Sequence, residues 1–275
     1  MKTNKIGFIG GGNMASSLIS GLIASGHPAQ QIWVADIDAE KLDALAEQLG
    51  VNIGRSNEQL VELSDVLVLA VKPQVLRAVA VGIAPLLERK QPLVVSIAAG
   101  ISQASLAHWL GSRVAVVRCM PNTPALVQTG ATALHANANV NGSQRDLAEN
   151  IMRAVGLALW VDKEADLDAV TAISGSGPAY FFLLMEAMEK SALDFGLDKQ
   201  TARLLVQQTA LGAAKIALES PESPEQLLKR VTSPGGTTQR AIETFLDGGF
   251  HNLVAKALHA ARERSIEMSK ELEQD

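Results

Sequence analysis

The first half of the chain alternates short apolar runs with helical patterns. Most runs are continuous rather than alternating, which is typical of strands covered by helices on both faces. The predicted strands are Lys5–Ile9, Ile32–Ala35, Val66–Val71, Leu93–Ile97, Val114–Arg118, Thr132–His135 and Ala158–Val161. The predicted helices between them are Met14–Ser25, Ala39–Leu49, Gln74–Glu88, Gln103–Leu110 and Gln144–Val155. This alternation predicts right-handed crossovers and an open, mostly parallel α/β sheet.

The pattern changes near residue 162, beyond which helical periodicity replaces the strand runs. The predicted helices are Glu164–Ile173, Pro178–Phe195, Lys199–Glu219, Pro224–Arg230, Thr238–Leu246 and Leu253–Glu273. Ser223 and Pro224 have the residue types of a helix N-cap followed by a first-turn proline. We therefore predict two domains, an α/β domain at 1–162 and an all-α domain at 163–275.

Several C-terminal helices are apolar on more than one face, for example Tyr180–Met188 and Thr209–Leu218. A small helical domain cannot bury many such faces alone. The surplus predicts a dimer interface, and the alternative is a tightly packed monomeric core.

Composition narrows the class of protein. The chain has 275 residues, 47% of them hydrophobic, and a net charge of −5, with no run of basic residues. These features favour a folded protein over a disordered one and argue against a nucleic-acid partner. The single cysteine, Cys119, excludes an intrachain disulfide and a cysteine metal site and suits a cytoplasmic location. Gly10–Asn13 interrupts the N-terminal apolar stretch, which argues against a signal peptide, and no run of apolar residues predicts a membrane span.

The N-terminal segment carries a dinucleotide-binding pattern between a strand and a helix. The run Gly10-Gly11-Gly12-Asn13-Met14-Ala15 fits G-x-G-x-x-A. In this pattern the first glycine permits a tight turn, the second admits the pyrophosphate, and the alanine keeps helix and strand close. The alternative is a structural turn without a nucleotide.

Asp36 follows the second predicted strand. A carboxylate there accepts a hydrogen bond from the adenosine ribose 2′-hydroxyl and repels a 2′-phosphate, which favours NADH. The alternative is that Asp36 caps the following helix, although Asp38 could take that role instead.

Other cofactor contacts are expected where parallel strands end. Small or tight segments follow two strands, Ala70-Val71-Lys72-Pro73 and Ala98-Ala99-Gly100. Asn57 is a candidate contact to the adenosine end, with a helix N-cap as its alternative role.

Three polar clusters could hold a substrate: Arg118–Pro124, which includes Asn122, then Ser174–Ala179, and Val231–Thr238. The last two place hydroxyls at helix starts, which suit a carboxylate, although each could be only a capped turn. No histidine-based acid–base group or metal-ligand spacing stands out among His27, His108, His135, His251 and His259.

Taken together, these residues resemble the pyrroline-5-carboxylate reductase family over essentially the whole chain. The most specific segments are Ala70–Pro73, Arg118–Pro124, Asp168–Thr171 with Ser174–Tyr180, and Ser233–Thr238. The resemblance implies a Rossmann domain followed by a helical dimerisation domain, in a homodimer or larger homo-oligomer.

The resemblance also implies the chemistry. The family transfers a hydride from NADPH or NADH to the imine carbon of 1-pyrroline-5-carboxylate, giving L-proline. A protonated imine is already a strong electrophile, so no general acid from histidine or lysine is needed. By this resemblance Thr238 would hydrogen-bond the ring nitrogen and Ser176 would help form the pocket. The implied substrate contacts are Glu164, Ser233, Gly235, Gly236, Thr237 and Thr238. The helix bearing Thr238 would serve the neighbouring subunit.

One segment departs from the family pattern. Many members carry Ser or Thr and then Arg after the second strand and favour NADPH, whereas this chain has Ala35-Asp36-Ile37-Asp38. The choice between NADPH and NADH therefore stays open at this stage.

Two other functions compete with the reductase. β-Hydroxyacid dehydrogenases carry a G-x-x-K-x-x-x-N helix motif. Two segments here match its glycine and lysine but lack its asparagine: Gly212, Lys215 and Glu219, and Gly196, Lys199 and Arg203. The second competitor is a sensor that binds NAD(P) without turnover, but the hydroxyl-rich helix starts argue against it.

Overall fold

The N-terminal part of the molecule is built on one eight-stranded sheet. The computed structural model describes residues 4–274. The strands are β1 (Ile6–Ile9), β2 (Ile32–Ala35), β3 (Asn52–Ile53), β4 (Val66–Leu69), β5 (Leu93–Ser96), β6 (Val116–Met120), β7 (Gly130–Ala136) and β8 (Gly156–Trp160). Their order is β3-β2-β1-β4-β5-β6-β7-β8, and every neighbouring pair is parallel except β6 with β7. The predicted α/β fold with a mostly parallel sheet is confirmed.

Helices cover both faces of this sheet, which is why its central strands are continuously apolar. They are α1 (Asn13–Ala24), α2 (Ala39–Leu49), α3 (Asn57–Leu63), α4 (Pro73–Lys90), α5 (Gln103–Leu110) and α6 (Gly142–Arg153). One core layer packs α1, α2 and α6 against the sheet, and the other packs α3, α4 and α5. Every residue of β1 and β4 is buried.

Two elements of this part are absent from the sequence prediction. Strand β3 has two residues and helix α3 has seven. Segments this short hold too few positions to show a period of 2 or 3.6 residues. Their omission left the edge of the sheet beside β2 undescribed.

The antiparallel pairing of β6 and β7 follows from the short connection between them. The chain leaves β6 at Met120 and passes through a 3₁₀ turn at Thr123–Val127 before β7 begins. A parallel pair needs a longer crossover, usually a helix, so this link permits only an antiparallel return.

The remainder of the described chain, from residue 163 to 274, contains no strand. Its helices are α7 (Asp166–Val170), α8 (Gly177–Asp194), α9 (Lys199–Glu219), α10 (Pro224–Val231), α11 (Thr237–Asp247) and α12 (Phe250–Gln274). The predicted cap of α10 is confirmed, because the Ser223 hydroxyl accepts from Gln226 N–H and the Gln226 side chain accepts from Ser223 N–H.

The predicted glycine–serine turn before α8 is largely helical instead. A π-helical turn, Thr171–Gly175, joins α7 to α8, and Ser176 N–H donates to the Thr171 carbonyl at 2.8 Å. Such turns insert an extra residue into a helix and are frequent at functional sites.

The chain divides into two compact units. One contains the residues up to Ser176 together with those from Ala261 onward, and the other is Gly177–Ala260. The predicted boundary at residue 162 lies where the sheet ends, whereas the units divide at residue 176. No pattern in the sequence indicated that the end of α12 belongs to the first unit. Leu272, near the end of α12, lies against Gly100 of the first unit, which adopts a φ of +76°.

The second unit has very little core of its own. Among residues 177–260, all of them described, three are buried: Gly177, Ala202 and Val206. The helical stretch Asp166–Asp194 is long and apolar enough to cross a bilayer by length and composition, and 17% of its most apolar window is buried. A helix that packs against another protein chain meets the same criterion, so this stretch does not identify a membrane protein.

Candidate active site

The turn after β1 is shaped by Gly10. Its φ is +104°, its N–H donates to the Ala35 carbonyl at 2.8 Å, and a Cβ here would lie 2.7 Å from the Ala70 carbonyl oxygen. Both the backbone conformation and the lack of space therefore require glycine. The turn lies between the ends of β1 and β4, where the strand order reverses and where open α/β sheets bind ligands.

Gly12 is different, because a Cβ there would meet nothing within 4 Å. Gly12 is the N-cap of α1, and no side chain caps that helix. The first-turn N–H groups of a helix lack intrahelical acceptors, so this start is suited to a phosphate. Ala15 is buried in the core, as the predicted close packing of helix and strand requires. Asn13 is exposed and Met14 is half-buried at the same helix start.

Asp36 is bound to the glycine turn. Its Oδ2 accepts from Gly11 N–H at 2.6 Å, and its Oδ1 accepts from Asp38 N–H at 3.0 Å. The alternative role of Asp36 as a helix cap is wrong, because Asp38 caps α2 by accepting from Lys41 N–H. The Lys41 ammonium beside it lowers the pKa of the Asp38 carboxyl.

The other predicted cofactor segments follow strand ends at the same edge of the sheet. Ala70-Val71-Lys72-Pro73 leads from β4 into α4, with Lys72 as an N-cap that has no side-chain bond. Ala98, Ala99 and Gly100 follow β5, and Ala98 is buried. The N-cap alternative for Asn57 is wrong, because Ser56 caps α3 and Asn57 is its first residue. Cofactor contact by these residues stays a prediction.

Asn122 links β6, β7 and the π-helical turn. Its side-chain amide donates to the Ser174 carbonyl at 3.0 Å, and its Oδ1 accepts from Ala131 N–H at 2.8 Å. The residue is buried, so both ends of its side chain are used within the protein. Gly175 lies against the same strand end, because a Cβ there would lie 2.6 Å from Met120 Cε.

Glu164 forms an ion pair with Arg118 that the sequence did not indicate. Its Oε1 accepts from the Arg118 guanidinium and, at 2.6 Å, from Gln103 N–H. The Arg118 and Glu164 side chains are 13% and 31% exposed. Glu164 therefore links the end of the sheet to the start of α5 through one of its two carboxylate oxygens.

A small cavity lies at the same edge, between the segment after β5, the end of β6 and α7. It is lined by Ala98, Ala99, Gly100, Arg118, Cys119, Met120, Leu167, Asp168, Thr171 and Ser265. Within it the Ser265 hydroxyl donates to Asp168 Oδ1 at 2.7 Å. Burial raises the pKa of the Cys119 thiol, which keeps it protonated and unsuited to act as a nucleophile.

The second unit contains another helix start that no side chain caps. Gly236 is the N-cap of α11 and no side chain caps the helix. Gly235 has a φ of +71° and donates its N–H to Gln239 Oε1 at 2.7 Å, while Gly236 N–H donates to the Ser233 carbonyl at 3.0 Å. Ser233 and Thr237 are exposed and Thr238 is half-buried. This geometry leaves the first-turn N–H groups of α11 facing a hydroxyl-rich surface.

The two lysines that suggested a hydroxyacid dehydrogenase are both exposed on α9. Lys215 is exposed on α9, with its Nζ 3.8 Å from Glu219 Oε1. Lys199 is exposed at the start of the same helix. Within residues 4–274, no group of three or more His, Cys, Asp or Glu side chains could hold a metal ion.

Known proteins similar to this chain distinguish the reductase hypothesis from its two competitors. The family described as pyrroline-5-carboxylate reductase dimerisation matches residues 164–268, and the family described as NADP oxidoreductase, coenzyme F420-dependent, matches residues 5–100. A pyrroline-5-carboxylate reductase from Pseudomonas aeruginosa is 53% identical over 274 residues and covers 100% of both chains. The chain belongs to the pyrroline-5-carboxylate reductase family.

Solved structures agree with this assignment. The structure of a pyrroline-5-carboxylate reductase from Coxiella burnetii is 46% identical, with a TM-score of 0.93, over 97% of this chain and 99% of that one. A pyrroline carboxylate reductase from Plasmodium falciparum with NADP bound is 32% identical, with a TM-score of 0.86, over 98% and 99%. The predictions of the family, of an oxidoreductase acting on an imine, and of a nicotinamide cofactor are confirmed.

Proposed function

We propose that this chain reduces 1-pyrroline-5-carboxylate to L-proline with NAD(P)H, using Thr238 and the start of α11 for the substrate. The proposal rests on two helices whose N-termini have no side-chain cap. One, at Gly12, follows the first strand of a dinucleotide-binding sheet, and the other, at Gly236, begins the Thr238 helix. The first suits a pyrophosphate and the second suits a carboxylate.

The nicotinamide, when bound, supplies the hydride for the imine carbon. The C=N double bond becomes a single bond, and the ring nitrogen keeps the proton that it carries as an iminium ion. In this chain, the first-turn amides of α11 from Thr237 onward, with the Ser233 hydroxyl, would hold the carboxylate. Gly235 and Gly236, whose own N–H groups bond Gln239 and the Ser233 carbonyl, would shape the turn beside it. Thr238 Oγ1 would accept a hydrogen bond from the protonated ring nitrogen, so the protein orients the imine for hydride transfer and does not have to protonate it.

Three further residues of the predicted site would border the pocket or hold its segments in place. Ser176 follows the π-helical turn and would border the pocket, in keeping with its half-buried position. Glu164 is bonded to Arg118 and Gln103 through Oε1, so we assign it to holding the segment after β5, with Oε2 as the atom for the predicted substrate contact. Asn122 would place its backbone beside the cofactor, because its side chain is bonded within the protein.

We further propose a homodimer or larger homo-oligomer located in the cytoplasm. The large apolar side chains exposed on the second unit include Phe181, Phe182, Leu183, Leu204 and Leu211. A second copy would cover this surface, which explains the apolar helix without a membrane. The helix bearing Thr238 would then serve the neighbouring subunit, as the family resemblance implies. The single buried cysteine suits a reducing compartment.

The test follows NADPH and NADH oxidation with 1-pyrroline-5-carboxylate and confirms L-proline as the product. We expect Thr238→Ala to lower kcat about tenfold or more, because one hydrogen bond to a charged group is lost, while cofactor affinity stays within twofold of the starting protein. Thr244→Ala is the matched control on the same helix, since its exposed hydroxyl bonds the Arg240 carbonyl one turn before it. Unchanged turnover in Thr238→Ala would remove this residue from the mechanism.

A further inference from the structure

We infer that Asp36 makes this chain select NADH over NADPH. The inference rests on the proposed function only in requiring that the chain binds a nicotinamide dinucleotide. Its basis is the way the Asp36 carboxylate is held at the end of β2.

The carboxylate cannot easily turn away from the cofactor. Two backbone N–H groups hold its two oxygens, Gly11 at 2.6 Å and Asp38 at 3.0 Å. The first of these donors belongs to the glycine turn itself. Asp36 is half-buried, so its position is set by the protein and not by solvent. A carboxylate fixed beside the turn retains free lone pairs that can accept from two ribose hydroxyls.

The charges along the segment 36–41 oppose a 2′-phosphate. Asp38 and Glu40 follow Asp36 along the chain, and the lowered pKa of Asp38 keeps its carboxyl ionised. Lys41 is the cation of this segment, but its Nζ already lies 3.0 Å from Asp38 Oδ2. A 2′-phosphate would bring almost two further negative charges to this carboxylate-rich corner without a free cation from α2.

The carboxylate also contributes to the turn that receives the pyrophosphate. Because Asp36 accepts from Gly11, removing the carboxylate loosens the turn as well as removing the charge. A substitution at this position should therefore weaken NADH binding and relieve the repulsion of NADPH. The ratio of the two affinities isolates the second effect, since both cofactors use the same turn.

The experiment titrates the purified chain with NADH and with NADPH, followed by nicotinamide fluorescence, without any imine present. We expect the starting protein to bind NADH at least about tenfold more tightly, which corresponds to about 1.4 kcal/mol. Asp36→Ser should shift the ratio of the two Kd values at least tenfold toward NADPH. Asp43→Asn on α2 is the matched control, because it removes one exposed carboxylate and should leave the ratio within twofold.

The possible outcomes distinguish a failure of the Asp36 inference from a failure of the proposed function. Equal affinity for both cofactors, tighter NADPH binding, or an unchanged ratio in a folded Asp36→Ser variant would overturn the Asp36 inference alone. Circular dichroism checks folding, and Asp36→Asn, which keeps one acceptor oxygen, replaces the serine variant if that variant is unfolded. Failure of the starting protein to bind either dinucleotide would instead overturn the proposed function.

Discussion

At the scale of single residues, the two glycines that the motif specifies after β1, Gly10 and Gly12, have different structural requirements. Gly10 is required by its backbone conformation and by the carbonyl of Ala70, whereas a side chain at Gly12 would extend into open space. Gly10 is therefore required by the folded structure, whereas the structure leaves room at Gly12 for the proposed cofactor.

This difference predicts that alanine substitutions at the two positions affect different properties, the stability of the apo protein and its affinity for the cofactor. Gly10→Ala should destabilise the apo protein by about 2 kcal/mol or more, because the residue adopts a positive φ and its Cβ meets backbone atoms. Gly12→Ala should leave the apo melting temperature within about 2 °C but weaken cofactor binding, because the methyl group occupies space intended for the pyrophosphate. Thermal unfolding without cofactor and a cofactor titration measure the two effects. A similar loss of stability in both variants would show that Gly12 is also structural.

Residue identity alone correctly placed a glycine turn between β1 and α1, but it failed where side-chain partners decide the role. Gly10 and Gly12 lie at the turn after β1, Ala15 is buried within α1, and Asp36 at the end of β2 accepts from Gly11 of that turn. Asn57 was assigned a possible cap that belongs to Ser56, because both residue types cap helices and only the backbone geometry separates them.

At the scale of secondary-structure elements, the sequence located the long helices within a few residues. Helices α2, α5 and α9 begin and end at the predicted residues, since an N-cap or a change in periodicity marks each start. The π-helical turn before α8 could not be predicted, because its glycines and serines are equally typical of a loop. One of its hydrogen bonds comes from the Asn122 side chain, which lies 52 positions away from Ser174 in sequence.

The ion pair of Glu164 and Arg118 connects three elements, and its loss should be measurable. Glu164→Ala should lower the free energy of unfolding by about 2 kcal/mol, because it leaves a largely buried guanidinium and the Gln103 N–H without an acceptor. The control is Glu62→Ala, whose pair with Arg89 is 43% and 70% exposed and should contribute less than about 0.5 kcal/mol. Urea unfolding compares the variants, and equal losses would contradict the assigned role of Glu164.

At the scale of the whole molecule, the two units differ in how they are stabilised. The first has two apolar layers around a sheet, whereas the second exposes most of its large apolar side chains. Sequence patterning predicted this surplus because two faces of the same helices are apolar. It could not predict which residues stay uncovered in one chain, since that depends on how α8 and α9 pack against each other.

The exposed face of α8 should therefore control both assembly and activity. Leu183→Glu places a charge where a second copy would pack, so sedimentation velocity should show a smaller species than the starting protein. Turnover should fall with the loss of the oligomer, because the proposed site needs the neighbouring subunit, while cofactor affinity of the first unit should change little. Val81→Glu, at an exposed apolar position on α4, should preserve both mass and turnover. An active monomer of Leu183→Glu would show that one chain completes its own site and would refute the requirement for a partner.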